Sequence, residues 1–262
     1  MNAPQELLGR TLVLVAHPDD ETAGCGVLLQ RMCEPIVVFA TDGAPRNEFF
    51  WGKYGSRLRY ARVREEEART ALALAGVNEV IFLAEIASGL ERFVDQELHL
   101  SVGDAVDELG KLIERYRPEA LLSMAYEGGH PDHDVCSFVI AVLARQFGLP
   151  AWEFPLYHRK QTQDAVFQRF TVPHDREETV LEVTPEELAV KRQMLEAYRS
   201  QHPFLFEFDP GLERFRRQPV YDYSQPPHGG ALNYEAWQWD VTGKQVCAAF
   251  AAFAGERRRG VM

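Results

Sequence analysis

No stretch of this 262-residue chain is long and apolar enough to cross a bilayer. Its first apolar run, Leu12–Ala16, is a quarter of the roughly 20 residues a spanning helix needs. Met1 to Arg10 also lacks the basic-then-apolar order of a secretory leader. Cysteine is sparse: four residues, at 25, 33, 136 and 247, with no C-x-x-C spacing. That argues against a disulfide framework and against a cysteine-based zinc site, and leaves buried free thiols as the expectation. These absences predict a cytoplasmic protein without membrane insertion. Basic residues are outnumbered, 28 Lys and Arg against 39 Asp and Glu, for a net charge of −11. A nucleic-acid binder would need a basic face, so nucleic acid is not the expected partner. The Arg257-Arg258-Arg259 run reads as a solvated tail beside the chain end. Finally, no G-x-G-x-x-G opens the first helix, and Gly24-x-Gly26 lies inside it, which disfavours a nicotinamide-dependent oxidoreductase.

What is present is a hydrophobic fraction of 46%, ample for one sizeable core. Short runs rich in branched residues recur at Thr11–Ala16, Pro35–Ala40, Glu79–Leu83 and Ala120–Met124. Helical stretches separate them: Thr22–Met32, Arg59–Ala75 and about Val102–Arg117. This alternation predicts an α/β fold with a mostly parallel sheet covered by helices on both faces. In such sheets ligands bind off the carboxyl ends of the strands. Ala151–Tyr157 and Ala165–Val172 alternate like further strands. Thr184–Arg199 reads as a helix, with Thr184 as N-cap and Glu187 three residues later as in a capping box. The proline- and aromatic-rich residues after Pro203 read as ordered, irregular loops. No linker splits the chain, so one domain is expected, with a core over about 11–201 and an extension over about 202–262.

Two polar clusters follow strands. The first is His17-Pro18-Asp19-Asp20-Glu21, one imidazole and three carboxylates within five residues. Crowded acids repel unless a cation or a shared proton offsets the cost, and imidazole with carboxylate is a ligand set for zinc. One aspartate would bind metal while its neighbour faced the attacking water. The competing interpretation is an acidic N-cap for the next helix. The second cluster, Tyr126-Glu127-Gly128-Gly129-His130-Pro131-Asp132-His133, follows the fourth run. If Pro131 opens a helix, His130 and His133 project near one another at its start. One would complete a three-ligand site, and the other would be left for proton transfer or oxyanion stabilisation. Two such clusters at strand ends favour a site over surface histidines.

The pairing of A-H-P-D-D-E with G-H-P-D-H resembles the PIG-L/LmbE-like deacetylases, which remove N-acetyl groups from glucosamine-containing molecules. Thr41-Asp42-Gly43, Arg64 with Glu67 before Ala75-Gly76-Val77, and Lys191 through Ser200-Gln201 extend the similarity. The resemblance implies a Rossmann-like fold and one zinc ion per chain, another divalent metal being compatible with the same donors. It implies His17, Asp20 and His133 as ligands and Asp19 as general base. His130 would be the general acid or oxyanion partner, oriented by Asp132, and Arg64 a substrate contact. Asp42, after the second run, and Tyr126, at the start of the second cluster, are further candidate substrate contacts. Tyr198 departs from the pattern, standing where many members carry histidine. The expected activity is N-deacetylation of an N-acetylglucosamine-type sugar or conjugate. Cleavage of a larger acyl group, or a metal-holding module without catalysis, are the alternatives. A small amino sugar is the expected partner, and homo-oligomerisation stays open.

Overall fold

The four short runs and the first part of Ala151–Tyr157 form five parallel strands in the computed structural model, which describes residues 3–86, 92–171 and 177–259. They are β1 (Thr11–Val15), β2 (Ile36–Phe39), β3 (Glu79–Phe82), β4 (Ala120–Met124) and β5 (Ala151–Phe154). Every residue of β1, β2 and β4 is buried, as strands covered on both faces must be. The helices between them are α1 (Asp20–Arg31), α2 (Arg57–Leu74), α3 (Val102–Tyr116) and α4 (Pro131–Phe147). Spatially the strands run β3-β2-β1-β4-β5. The strand order therefore reverses between β1 and β4, opening a crevice at their carboxyl ends.

Beyond β5 the chain adds β6 (Thr179–Val180), α5 (Pro185–Ala197) and β7 (Arg214–Arg217). The strand β7 pairs antiparallel with both β5 and β6 and extends the sheet to seven strands. Thr184 caps α5 through the expected capping box. The expected strand Ala151–Tyr157 stops at Phe154 because Pro155 cannot donate to a ladder. Of Ala165–Val172, only Val166–Phe167 is a strand, paired with Tyr157–His158. Gln168 turns away at φ 52, with its amide held by the carbonyls of Asp209 and Leu212, and Val172 lies outside the described residues.

The residues after Pro203 are more regular than expected. They contain α6 (Asn233–Ala236) and a 17-residue α7 (Gly243–Arg259). Buried Val246, Phe250 and Phe253 fall on one face of α7, and Phe250 stacks on Phe138 of α4 at 4.2 Å. Arg257 belongs to this helix rather than to a tail, and pairs with Asp107 at 2.7 Å. No helix among the described residues is long and apolar enough to cross a membrane.

One buried ion pair shapes the helix that carries the first cluster. At Cys25 the backbone of α1 leaves helical geometry (φ −144°, ψ 23°). The carboxylate of Glu213 accepts from the N–H groups of Val27 (2.6 Å) and Leu28 (3.0 Å), recapping the helix beyond the kink. Lys191 neutralises it at 2.7 Å and also donates to the Ala23 carbonyl. All of these groups are buried, so removing the cation strands a charge. Lys191→Met should lower unfolding free energy by about 3–5 kcal/mol in a denaturant titration. Adding Glu213→Gln to it should restore part of the loss. A wild-type midpoint for the single variant would mean that the pair does not hold the helix.

Candidate metal and active site

The turn after β1 and the start of α4 meet in the crevice. His17 Nδ1 lies 3.3 Å from Asp20 Oδ2, which also accepts the His17 N–H at 2.8 Å. Across the crevice His133 Nε2 lies 3.2 Å from Asp20 Oδ1. Both His133 nitrogens are nevertheless buried without a hydrogen-bond partner, because the close carboxylate is out of line. Burial alone would raise the Asp20 pKa, but the neighbouring His133 and His17 rings outweigh it and hold the carboxyl well below its usual range. Two imidazoles and a carboxylate converging on an unbonded nitrogen are a donor set suited to a divalent ion.

Asp19 sits at the N-terminus of α1, but its side chain makes no capping bond. The Asp19 N–H goes to Glu21 Oε2 at 3.1 Å, and the Asp19 carboxylate pairs with Arg64 Nη2 at 3.2 Å. Its φ of 128° lies in the region that favours glycine, so the position is strained. Burial raises its pKa well above the usual carboxylate range, with Arg64 opposing. Asp19 thus holds the N-cap position through its backbone, while its side chain is turned to Arg64 instead of the helix. Arg64 is itself fixed by the carbonyls of Pro18 and Gly43, each at 2.6 Å.

Gly128 and Gly129 let the second cluster reach the crevice. Gly128 has φ 71°, and a Cβ at Gly129 would fall 2.0 Å from the Tyr157 carbonyl oxygen. His130 then caps α4: its Nδ1 accepts the Asp132 N–H at 3.1 Å. That bond puts the ring proton of neutral His130 on Nε2, 3.4 Å from Asp95 Oδ1. Burial, reinforced by positive His17, pushes the His130 pKa down to about 4. Asp132 thus orients His130 through its backbone amide rather than its carboxylate, which is 3.9 Å from Nδ1. The Asp132 carboxylate instead accepts from the Gln96 and Leu98 N–H groups, at 2.7 and 3.0 Å, and contacts His17 Nε2 at 3.1 Å.

Asp95 escaped the sequence reading. It follows β3 in a segment with no motif, and only the rule that sites lie beyond strand ends points to it. Its Oδ1 is 3.2 Å from His17 Nε2 and has no hydrogen bond of its own. Ligand atoms of His17, His130 and His133 lie within 4.8 Å of one another, as do those of His17, Asp95, His130 and Asp132. A buried His/Asp group able to hold a metal is therefore present. Asp20 belongs to neither group, but it lies 3.3 and 3.2 Å from the His17 and His133 rings, and the His133 nitrogens, unlike the Asp132 oxygens, have no hydrogen-bond partner.

Asp42 and Tyr126 are not brought to the site. Asp42 pairs with Arg57 and caps the Ala44 N–H at 3.0 Å. The Tyr126 hydroxyl donates to the Gln225 carbonyl at 2.8 Å, its ring packed against Tyr223. Neither lines the cavity of about 320 Å³ that opens over His17, Asp19, Asp20, Asp95, His130 and Arg64. Tyr198, the departure from the family pattern, is fully buried and donates to Glu21. Aromatic side chains form the cavity walls, Phe50 from the loop after β2 and Phe204, Trp237 and Trp239 from the C-terminal part.

Residues 12–144, just over half of the chain, match the PIG-L family, described as GlcNAc-PI de-N-acetylase. The chain belongs to this family. It is similar to the 2'-N-acetylparomamine deacetylase of Streptomyces fradiae, with 33% identity over 140 residues and 48% of each chain covered. The chain thus spans about half the length of that curated relative. Among solved structures, a deacetylase triple mutant of the teicoplanin biosynthetic pathway superposes with a TM-score of 0.63 at 20% identity, covering 81% of this chain and 99% of that one. The 4-carboxy-2-hydroxymuconate hydratase of Pseudomonas putida shares the fold at a TM-score of 0.51 and 16% identity, covering 76% and 82%. At these identities the superpositions speak for the PIG-L fold and leave the reaction to the site residues.

Metal content tests the seat directly. Purified His133→Ala and His17→Ala proteins should each retain far less divalent metal than wild type by elemental analysis. Full retention by both would move the ion elsewhere in the cluster.

Proposed function

We propose that the protein is a zinc-dependent hydrolase that removes the N-acetyl group from an N-acetylglucosamine-type sugar or sugar conjugate. The observation that carries this reading is Asp19: a buried, strained carboxylate that caps nothing and faces the cavity beside the His17, Asp20 and His133 corner. A chain that only held metal would have no use for it. Family membership and the paromamine relative support the substrate class.

His17, Asp20 and His133 would hold the zinc ion, which would supply Lewis acidity toward the acyl carbonyl and water. The remaining steps belong to the chain. Arg64 holds Asp19 from one side, leaving its carboxylate to take a proton from the attacking water. His130, its Nδ1 engaged by the Asp132 amide, offers Nε2–H to the charge developing on the acyl oxygen. One such donor is worth roughly 3–4 kcal/mol in the transition state. Asp19 then returns its proton to the leaving amine. Of the two roles expected for His130, general acid and oxyanion partner, the Nε2–H tautomer suits the second.

Acetate release from N-acetylglucosamine derivatives, abolished by a chelator and restored by zinc, is the expected result. Chelator-insensitive release, or none from wild type, would remove the proposal. Asp19→Asn should keep its metal, because the amide is near-isosteric and Asp20 remains, yet lose roughly 100- to 10,000-fold in turnover. Activity within a few-fold of wild type would reduce Asp19 to a structural residue. His130→Ala should bind metal normally and lower kcat far more than it raises KM, as expected for a group used mainly in the transition state. A rate near wild type would return His130 to its role as a helix cap.

A further inference from the structure

The C-terminal segment around α6 plays no part in the chemistry above, yet it reaches the cavity. Asn233 N–H donates to the Gly128 carbonyl at 2.8 Å, and the Tyr234 hydroxyl donates to Asp134 at 3.2 Å. Asp134 also accepts from the Gly128 N–H, so the segment is tied to the loop that carries His130. The helix then ends in a two-bond cap: Gln238 N–H to the Glu235 carbonyl and Trp239 N–H to the Tyr234 carbonyl, each at 3.0 Å. Gln238 occupies the left-handed position at φ 58°. This reversal sets Trp237 and Trp239 side by side, with ring centroids 5.2 Å apart, at the cavity. From there Trp239 meets the His130 ring at 4.9 Å, edge to face, and Trp237 lies 6.1 Å from Tyr157, which reaches the His133 ring at 5.4 Å.

The two tryptophans thus head an arc of rings that ends on both histidines of the second cluster. Trp237 remains 38% exposed, so part of its indole is open. Flat aromatic surface combined with polar groups, here Gln96, Gln201 and Arg64, is what a pyranose ring requires: its C–H face packs on a ring while its hydroxyls find hydrogen bonds. We infer that Trp237, held in place by Trp239, is the specificity-determining platform on which the pyranose ring bearing the amide stacks. This rests on the deacetylase reading for the identity of the substrate, but the platform can be tested by binding alone.

Calorimetric titration with methyl N-acetyl-β-glucosaminide and with N-methylacetamide, the same amide without the ring, separates the two ideas. Wild type should prefer the glycoside, and Trp237→Ala should weaken glycoside binding about 10-fold or more, with N-methylacetamide unaffected. Trp237→Phe should recover most of the loss. Where the glycoside is turned over, Trp237→Ala should raise KM with little change in kcat. If Trp237→Ala melts early, Trp237→Leu, which keeps an apolar side chain without a ring, decides in its place. Unchanged glycoside affinity in the ring-less variant, or no preference for the glycoside in wild type, overturns the platform. Ring-dependent binding without acetate release overturns the deacetylase reading and leaves the platform standing. Acetate release with a KM indifferent to Trp237 does the reverse.

Discussion

The parallel pairing of β1 with β4, in register from Thr11 opposite Ala120 to Val13 opposite Leu122, brings together residues more than a hundred positions apart. Both strands are buried, and one residue of slip would turn every side chain to the opposite face. Because the register is fixed, the turn ending at Asp20 and the helix opening at Pro131 reach the crevice at one height. His17 can then touch both Asp20, three residues on, and Asp132, 115 residues on. Neither cluster is a site alone, and the hydrophobic pattern of two strands makes them one.

Holding this many buried ionisable groups together costs folding free energy. Burial penalises the positive form of His17, but Asp95 and Asp20 outweigh it and raise its pKa, so positive charge is favoured at this position. Arg64 plays the same part for Asp19 and Asp95, at 3.2 and 3.7 Å. A divalent ion at the Asp20 corner would share that burden, so metal binding and folding stability are thermodynamically linked. The strain at Asp19 belongs to the same trade, a carboxylate kept in a backbone conformation suited to glycine because of where it points.

Much of this was legible in the sequence. The alternation of runs and helices placed β1 to β4 to within a residue or so, and Thr184 with Glu187 marked the start of α5. The two clusters were visible as chemistry crowded at strand ends. Asp95 was not, because a lone aspartate between Val94 and Gln96 has no pattern, and only the return of the chain after β3 makes it a neighbour of His17. Asp42 and Tyr126 misled for the opposite reason: a place just after a strand says nothing about the direction of a side chain. The helix α7 had its signal in Val246, Phe250 and Phe253, obscured by the prolines that precede it.

The division of labour inside the chain follows from how each part is held. Residues 11–147 build the charged floor on buried strands and long helices, where a small displacement would separate ligands that must converge. The aromatic walls come from elsewhere, Phe50 from a loop and the tryptophans from the segment around α6, which rests on the floor through Gly128 and Asp134. The hydrogen bonds that tie this wall to the floor run through the Asn233 backbone and the Tyr234 hydroxyl, and they use none of the clustered histidines. Trp239 meets one of them by ring contact, touching His130 itself. Trp237 approaches the same cluster through Tyr157, whose ring lies 5.4 Å from that of His133, so the wall and the floor share one continuous aromatic packing.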